Sequence, residues 1–343
     1  MKVFLISTAC LEVPPRTYGG LEQVVYDLSK RLAQRGHEVT VACPIGSQLP
    51  ENVEMVPTID LNTDKWNENL ALLKILEDGR IMDADIIHDH SHRKSIYSSI
   101  KDHEEECHYL STLHCPDSVL FPVLYPNLVT LSEDHRQAIF EHYGYESKVV
   151  YNGIDVDSYE FRKDKEDRFI FLGRPVEFKG ALEAVQYCKK LDVGLDVVGG
   201  ILEENPSLYT IRVAQECKLG SKWKYWGAVP FEIKKKLLAR SKGLIFPFNR
   251  KTWREPFGLT VIEALASGTP VITWNIGVFR ETLIHGKTGF LANTEEEFLE
   301  YMKRVDEIDP KDCRRDAEER WTDLRMARDY EDLYQRVLKG ERW

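Results

Sequence analysis

The sequence predicts an α/β protein of two doubly wound parallel-sheet domains, and three observations carry that prediction. The chain has 343 residues, more than one hydrophobic core usually holds, so two domains of ordinary size are expected. Residues 2–8 (KVFLIST), the amphipathic stretch 20–35 and the run EVTVACP form a β-α-β opening. The same order restarts at 169–191, FIFLGRPVEFKGALEAVQYCKKL, where strand, turn and helix follow one another a second time.

Composition narrows the class. A hydrophobic content of 43% is ample for two cores, and no apolar run approaches the ~18 residues of a membrane span. The start, MKVFLISTACLEVPPR, reads as a strand and a Pro-rich loop, with no signal peptide. Seven scattered cysteines (Cys10, Cys43, Cys107, Cys115, Cys188, Cys217, Cys313) contain no C-x-x-C pair. They fit a reducing cytoplasm and read as small buried hydrophobes, not as a disulfide framework or a zinc site. Residues 1–156 carry 13 basic against 24 acidic side chains, a net of −11, and the remainder 33 against 32, a net of +1. An acidic first domain disfavours nucleic acid and anionic membranes, which need a basic footprint.

In the first domain, the loop CLEVPPRTYGG lacks G-x-G-x-x-G, which argues against an ordinary NAD enzyme. Its Gly19-Gly20 pair stands at a helix entry, where bare backbone can approach a ligand; a plain turn and cap is the alternative. Residues 67–80 read as a helix, and ADIIHDHS as a strand with a polar tip. Strand alternation would put His88, His90 and His92 on one face, an arrangement that serves hydrogen bonding to a ligand more often than metal binding. Strand 109–113 ends at His114, the end where open parallel sheets present ligand-contacting residues. Residues 130–142 follow as a capped helix.

In the second domain, Arg174 and Lys179 sit at a strand-to-helix junction, placed to neutralise a diphosphate. A turn, WGAV, carries Ala228 and Val229. The stretch 254–270, REPFGLTVIEALASGTP, feeds a helix over 259–266 that is apolar except for Thr260, Glu263 and Ser267. Their spacing of three and four residues puts them on one face, and a buried helix carries a carboxylate there when it has a partner. Glu255 stands just ahead of this helix. Two carboxylates about a free helix N-terminus can hold the hydroxyls of a sugar phosphate whose phosphates rest on the helix. A solvated polar edge is the alternative. The tail from 309 onward reads as helical and charged.

Glu255 and Glu263, with the Gly-Thr-Pro ending, resemble the E-x7-E motif of retaining nucleotide-sugar glycosyltransferases, family 4, which have the GT-B fold of two Rossmann-like domains. The resemblance covers nearly the whole chain. Thr112-x-His114, the Asn-Gly-Ile-Asp run, Gly173-Arg174-x4-Lys179-Gly180 and the WGAV turn stand in the family's order. It implies a first, acceptor-binding domain over 1–156, a nucleotide-sugar domain over 157–325, and a final helix, 326–343, crossing back to the first.

By that resemblance Gly19 and Gly20 lie between acceptor and donor phosphate, and His114 approaches the sugar at the reaction centre. Arg174 and Lys179 hold the diphosphate with the helix end at Phe257, Gly258, Leu259 and Thr260. Glu255 takes sugar hydroxyls, Glu263 the ribose, and the backbone about Ala228 and Val229 the base. The implied reaction is transfer from a UDP- or GDP-sugar to a hydroxyl acceptor in a cleft between the domains, with retention, no bound metal and no cofactor beyond the donor. A nucleotide-sugar epimerase and a non-catalytic sugar-nucleotide sensor are the alternatives. Some relatives dock on membranes through a basic amphipathic helix, and the sequence here shows none, so a soluble acceptor and a cytoplasmic enzyme are expected. One departure concerns the donor pocket: FNRKTWR, between Pro247 and Glu255, is longer than the family's Pro-Ser-x-x-Glu pattern.

Overall fold

A computed structural model describes residues 1–101, 108–115, 125–200, 207–218 and 222–343. Cys107 lies outside these. The chain divides into two compact units, one of Met1–Ile154 with Asp323–Trp343, the other of Asp155–Thr322.

The first unit contains β1 (Lys2–Ile6), α1 (Gly20–Gln34), β2 (Glu38–Cys43), β3 (Val53–Pro57), α2 (Glu68–Asp78), β4 (Ile86–Asp89) and α3 (Tyr97–Ile100). It continues with β5 (His108–Thr112), β6 (Leu128–Thr130), α4 (Glu133–Tyr143) and β7 (Lys148–Val149). Among the described residues its sheet has seven parallel strands in the order β3-β2-β1-β4-β5-β6-β7. Val3 to Ile6 are all buried, as expected of a strand covered on both faces. In α1, Val24, Val25, Leu28 and Leu32 make the buried stripe. Ser132 caps α4 by accepting from the His135 amide at 3.0 Å, and Gly144, at φ 71°, ends it.

The second unit contains β8 (Glu166–Leu172), α5 (Ala181–Lys190), β9 (Gly194–Val198), α6 (Leu208–Lys218), β10 (Trp223–Gly227) and α7 (Phe231–Arg240). Then come β11 (Ser241–Phe246), α8 (Leu259–Ala266), β12 (Val271–Trp274), α9 (Phe279–Thr282), β13 (Gly289–Ala292), α10 (Glu295–Lys303) and α11 (Pro310–Arg320). Its described strands, six in number and all parallel, run β10-β9-β8-β11-β12-β13.

The helical tail is made of two helices. Helix α11 packs on α8 within the second unit, whereas α12 (Asp323–Leu338) belongs to the first, against α1 and β5. Met326, Ala327, Tyr330, Leu333, Tyr334 and Val337 form the buried face of α12. Asp323, at its start, pairs with Arg31 of α1 at 2.8 Å. Among the described residues no helix is long and apolar enough to cross a membrane.

Candidate functional site

Open parallel sheets place ligand sites beyond the carboxyl ends of the strands, where the winding direction reverses. Here the reversal falls between β1 and β4 in the first unit and between β8 and β11 in the second.

In the second unit, the segment after β8 makes one 3-10 turn, 177–179, and ends at Gly180 in a left-handed conformation, φ 79°. The turn carries Lys179 to Glu255, which comes from the segment after β11, and the two form an ion pair. Both side chains are 14% exposed, so this pair is largely withdrawn from water. Glu255 Oε2 also accepts from the indole N–H of Trp253 at 2.9 Å. The Lys179 ammonium lies 4.4 Å from the centre of the Trp253 ring, and that ring stacks on Phe178 at 4.3 Å. Arg174 reaches the other aromatic partner, its guanidinium 5.9 Å from the Phe178 ring. Arg174, Lys179 and Glu255 are thus linked through Phe178 and Trp253.

Gly258 opens α8 with φ 84° and no side-chain cap; its carbonyl takes the Val261 amide at 2.9 Å, and the Leu259 and Thr260 amides ahead of it are left to other acceptors. A Cβ on Gly258 would sit 3.5 Å from Glu255 Cγ, which places Glu255 at this helix end. Phe257 is buried, edge-on to Trp321, so its side chain belongs to the core; Leu259 and Thr260 are half-buried. Glu263 lies elsewhere on α8, buried, with Lys234 at 2.6 Å and the Tyr159 hydroxyl at 2.8 Å on its Oε1. These are the partners that a carboxylate on an otherwise apolar helix requires. Ala228 is exposed and Val229 buried at the end of β10. Ala228 is pressed against Gly200, where a Cβ would come within 2.5 Å of its own.

In the first unit, Gly19 and Gly20 stand at the start of α1, and a Cβ on Gly19 would meet Pro15 at 2.7 Å and Glu22 Oε2 at 2.8 Å. Glu22 is buried and accepts from Thr8 at 2.5 Å; burial raises its pKa. His114, beyond β5, shares a 2.8 Å hydrogen bond between its Nε2 and His90 Nδ1. His88 is fully committed, its Nδ1 to the Tyr334 hydroxyl at 2.7 Å and its Nε2 to Thr112 at 2.8 Å. The common face expected for three histidines holds for two. The strand ends at Asp89, and His92 turns to Cys115 Sγ, 3.5 Å from its Nδ1. Cys115 is therefore half-buried beside an imidazole, while Cys10, Cys43, Cys188, Cys217 and Cys313 are buried. Among the described residues no group of three or more His, Cys, Asp or Glu side chains is placed to hold a metal ion.

Lys94 lies buried beneath the histidines and donates to the carbonyls of Asp89 at 2.6 Å and Thr112 at 2.8 Å. Burial first, and the Lys94 charge and neighbouring imidazoles after it, hold His88, His90 and His114 well below the usual histidine pKa of 6.5. In the unfolded chain these rings titrate near 6.5, so below that pH the unfolded state binds more protons. Stability is then full above about pH 6.5 and is lost as the pH falls, at about 1.4 kcal/mol per pH unit for each ring. Urea unfolding between about pH 7 and about pH 5.5 checks this. The midpoint should drop steadily, and a constant midpoint would mean the folded imidazoles accept protons.

The sequence singled out neither Trp253 nor the partners of Glu263. A tryptophan two residues before Glu255 was visible in the longer loop. Lys234 stands in a run of three lysines, and its spacing from Phe231 and Leu238 is the one signal that it turns inward.

Residues 156–320 match the family described as glycosyl transferases group 1, and residues 18–158 match glycosyltransferase family 4. Spore coat protein SA of Bacillus subtilis (strain 168) is 26% identical over 360 residues, covering 90% of this chain and 90% of that protein. The solved structure of AviGT4, a glycosyltransferase involved in avilamycin A biosynthesis, superposes with a TM-score of 0.78 at 24% identity, covering 100% of this chain and 99% of that one. HepE of Anabaena, in complex with UDP and glucose, gives a TM-score of 0.75 at 15% identity over 98% and 99% of the two chains.

Proposed function

The chain belongs to the group 1 glycosyltransferases of GT-B fold, and from that premise we propose that it moves a sugar from a nucleoside diphosphate sugar to a hydroxyl acceptor with retention of configuration. The observation that carries this reading is the meeting of Lys179 and Glu255 at the strand-order reversal of the second unit, beside the uncapped start of α8. A sugar diphosphate presents a dianionic linker and a ring of hydroxyls. Arg174, Lys179 and the α8 amides answer the first, and Glu255 the second. As the bond to the anomeric carbon breaks, negative charge grows on the departing diphosphate and positive charge on the sugar ring. Cations and helix amides set in place beforehand stabilise the first without reorganising.

In this reading Glu263, held by Lys234 and Tyr159, receives the ribose, and Ala228 and Val229 flank the base. His114, steadied by His90, meets the sugar. No side chain is assigned as nucleophile; the leaving phosphate takes the acceptor proton. The UDP and glucose held by HepE support a nucleotide-sugar donor. The acidic balance of residues 1–156 favours an uncharged or cationic acceptor over an anionic one.

A calorimetric screen against UDP-, GDP- and ADP-sugars tests the donor assignment. One nucleotide series should bind, and its cognate sugar should be hydrolysed slowly without acceptor to give a product whose first-formed anomer matches the donor. Failure of every nucleotide sugar to bind would overturn the donor, and inversion would overturn the stereochemistry. Epimerised nucleotide sugar in place of free sugar would favour the epimerase.

A further inference from the structure

The longer loop ahead of Glu255 is a built structure. The Asn249 carbonyl accepts from the amides of Thr252 at 3.2 Å and Trp253 at 3.0 Å, and its side-chain oxygen accepts from the Lys251 amide at 3.0 Å. The Asn249 amide in turn donates to the Phe178 carbonyl at 3.0 Å, which ties the loop to the turn bearing Lys179. The consequence is one side chain in one place. The Trp253 ring stacks on Phe178 with an interplanar angle of 22°, lies against the Lys179 ammonium, and sends its N–H to Glu255.

The choice of oxygen matters. Lys179 and Trp253 both donate to Glu255 Oε2, and among the described residues no hydrogen bond reaches Oε1. A glutamate has three rotatable bonds, and a carboxylate free to turn would follow an axial or an equatorial hydroxyl alike. Two donors on one oxygen, one of them on a stacked and loop-braced indole, fix the carboxylate plane and aim the other oxygen in a single direction. A fixed acceptor distinguishes epimers, because the wrong one leaves a partly buried polar group unpaired.

We propose that Trp253 is a specificity-determining residue, which selects among donor sugars that differ in the configuration of a ring hydroxyl by fixing Glu255. This rests on the reading that Glu255 meets the sugar of the donor. Trp253 acts through Glu255 and so is a positioning residue.

The test uses the full chain and two pairs of probes, UDP-glucose with UDP-galactose and GDP-mannose with GDP-glucose. Within each pair the nucleotide is constant, so the ratio of kcat/KM for hydrolysis reports the sugar alone. Trp253→Phe keeps the stack on Phe178 and removes the N–H; Trp253→Ala removes both. In the pair that the wild type discriminates, Trp253→Phe should reduce the ratio by roughly tenfold, with the dissociation constant of the bare nucleoside diphosphate unchanged. Trp253→Ala should reduce the ratio at least as far. A wild-type ratio in a folded Trp253→Phe protein, even with a lower rate for both donors, would overturn the proposal and leave the indole as plain support for Lys179. Glu255→Gln separates the two readings. If it alters the ratio while Trp253→Phe does not, only the Trp253 proposal fails; if it alters neither ratio nor turnover, the sugar-binding assignment of Glu255 fails and takes the proposal with it.

Discussion

Lys179→Ala should lower turnover by about two to three orders of magnitude, the scale on which one preset donor to a developing charge acts, while the protein remains folded. In the free protein the Lys179 ammonium is held by Glu255 and the Trp253 ring at the strand-order reversal, with the first amides of α8 close by. A diphosphate arriving there meets a cation already stripped of most of its water, so the interaction is stronger than that of a surface lysine. Truncation also leaves Glu255 with the Trp253 N–H as its remaining donor, at a stability cost on the order of 1 kcal/mol. Single-turnover kinetics on a protein with wild-type circular dichroism is the check. Near-wild-type turnover would remove Lys179 from the diphosphate site. Lys179→Arg keeps the charge but brings a planar fork to a place shaped for a compact ammonium, so partial recovery is expected.

The parallel sheets and most helix ends were legible because the signals are local. Strands buried on both faces read as unbroken apolar runs, and α4 announces itself by a serine cap and a closing glycine. Lys179 and Glu255 were legible for a related reason, each standing in a short pattern beside a strand end. What stayed hidden depends on residues far apart in the chain. Tyr159 and Lys234 reach Glu263 from 104 and 29 positions away, and nothing in three consecutive lysines says which one is inside. The length of the loop before Glu255 was visible, but its effect was not, since the stack of Trp253 on Phe178 joins the segments after two different strands. Alternation along β4 failed at His92 for a simpler reason. The two-residue period belongs to a strand, and the strand had already ended.

The approach of those two segments requires a residue without a side chain, and Gly180→Ala should show it by its effect on both stability and turnover. Gly180 has φ 79°, where an L-residue is strained by roughly 1–2 kcal/mol. Its own environment adds more, since a Cβ would lie 2.1 Å from the Pro247 carbonyl oxygen and 2.6 Å from its carbon. These are backbone atoms at the end of β11, and they can move only if the segment leading to Glu255 moves with them. Gly286→Ala serves as the control, because Gly286 has nearly the same φ, 75°, and a Cβ there meets nothing within 4 Å. Strain alone predicts equal losses for the two variants. The overlap instead makes Gly180→Ala the more costly, with a total of about 3 kcal/mol or more against about 1 kcal/mol for Gly286→Ala. Thermal and urea unfolding of the two proteins measure that difference. Kinetics completes the comparison: Gly286→Ala should retain its turnover, while a folded Gly180→Ala protein should lose tenfold or more, roughly the effect of displacing aligned groups by an ångström. Equal stability losses and equal turnover in the two variants would mean that the β8 and β11 ends separate without consequence, and that Lys179 and Glu255 do not need to be held together for the chemistry.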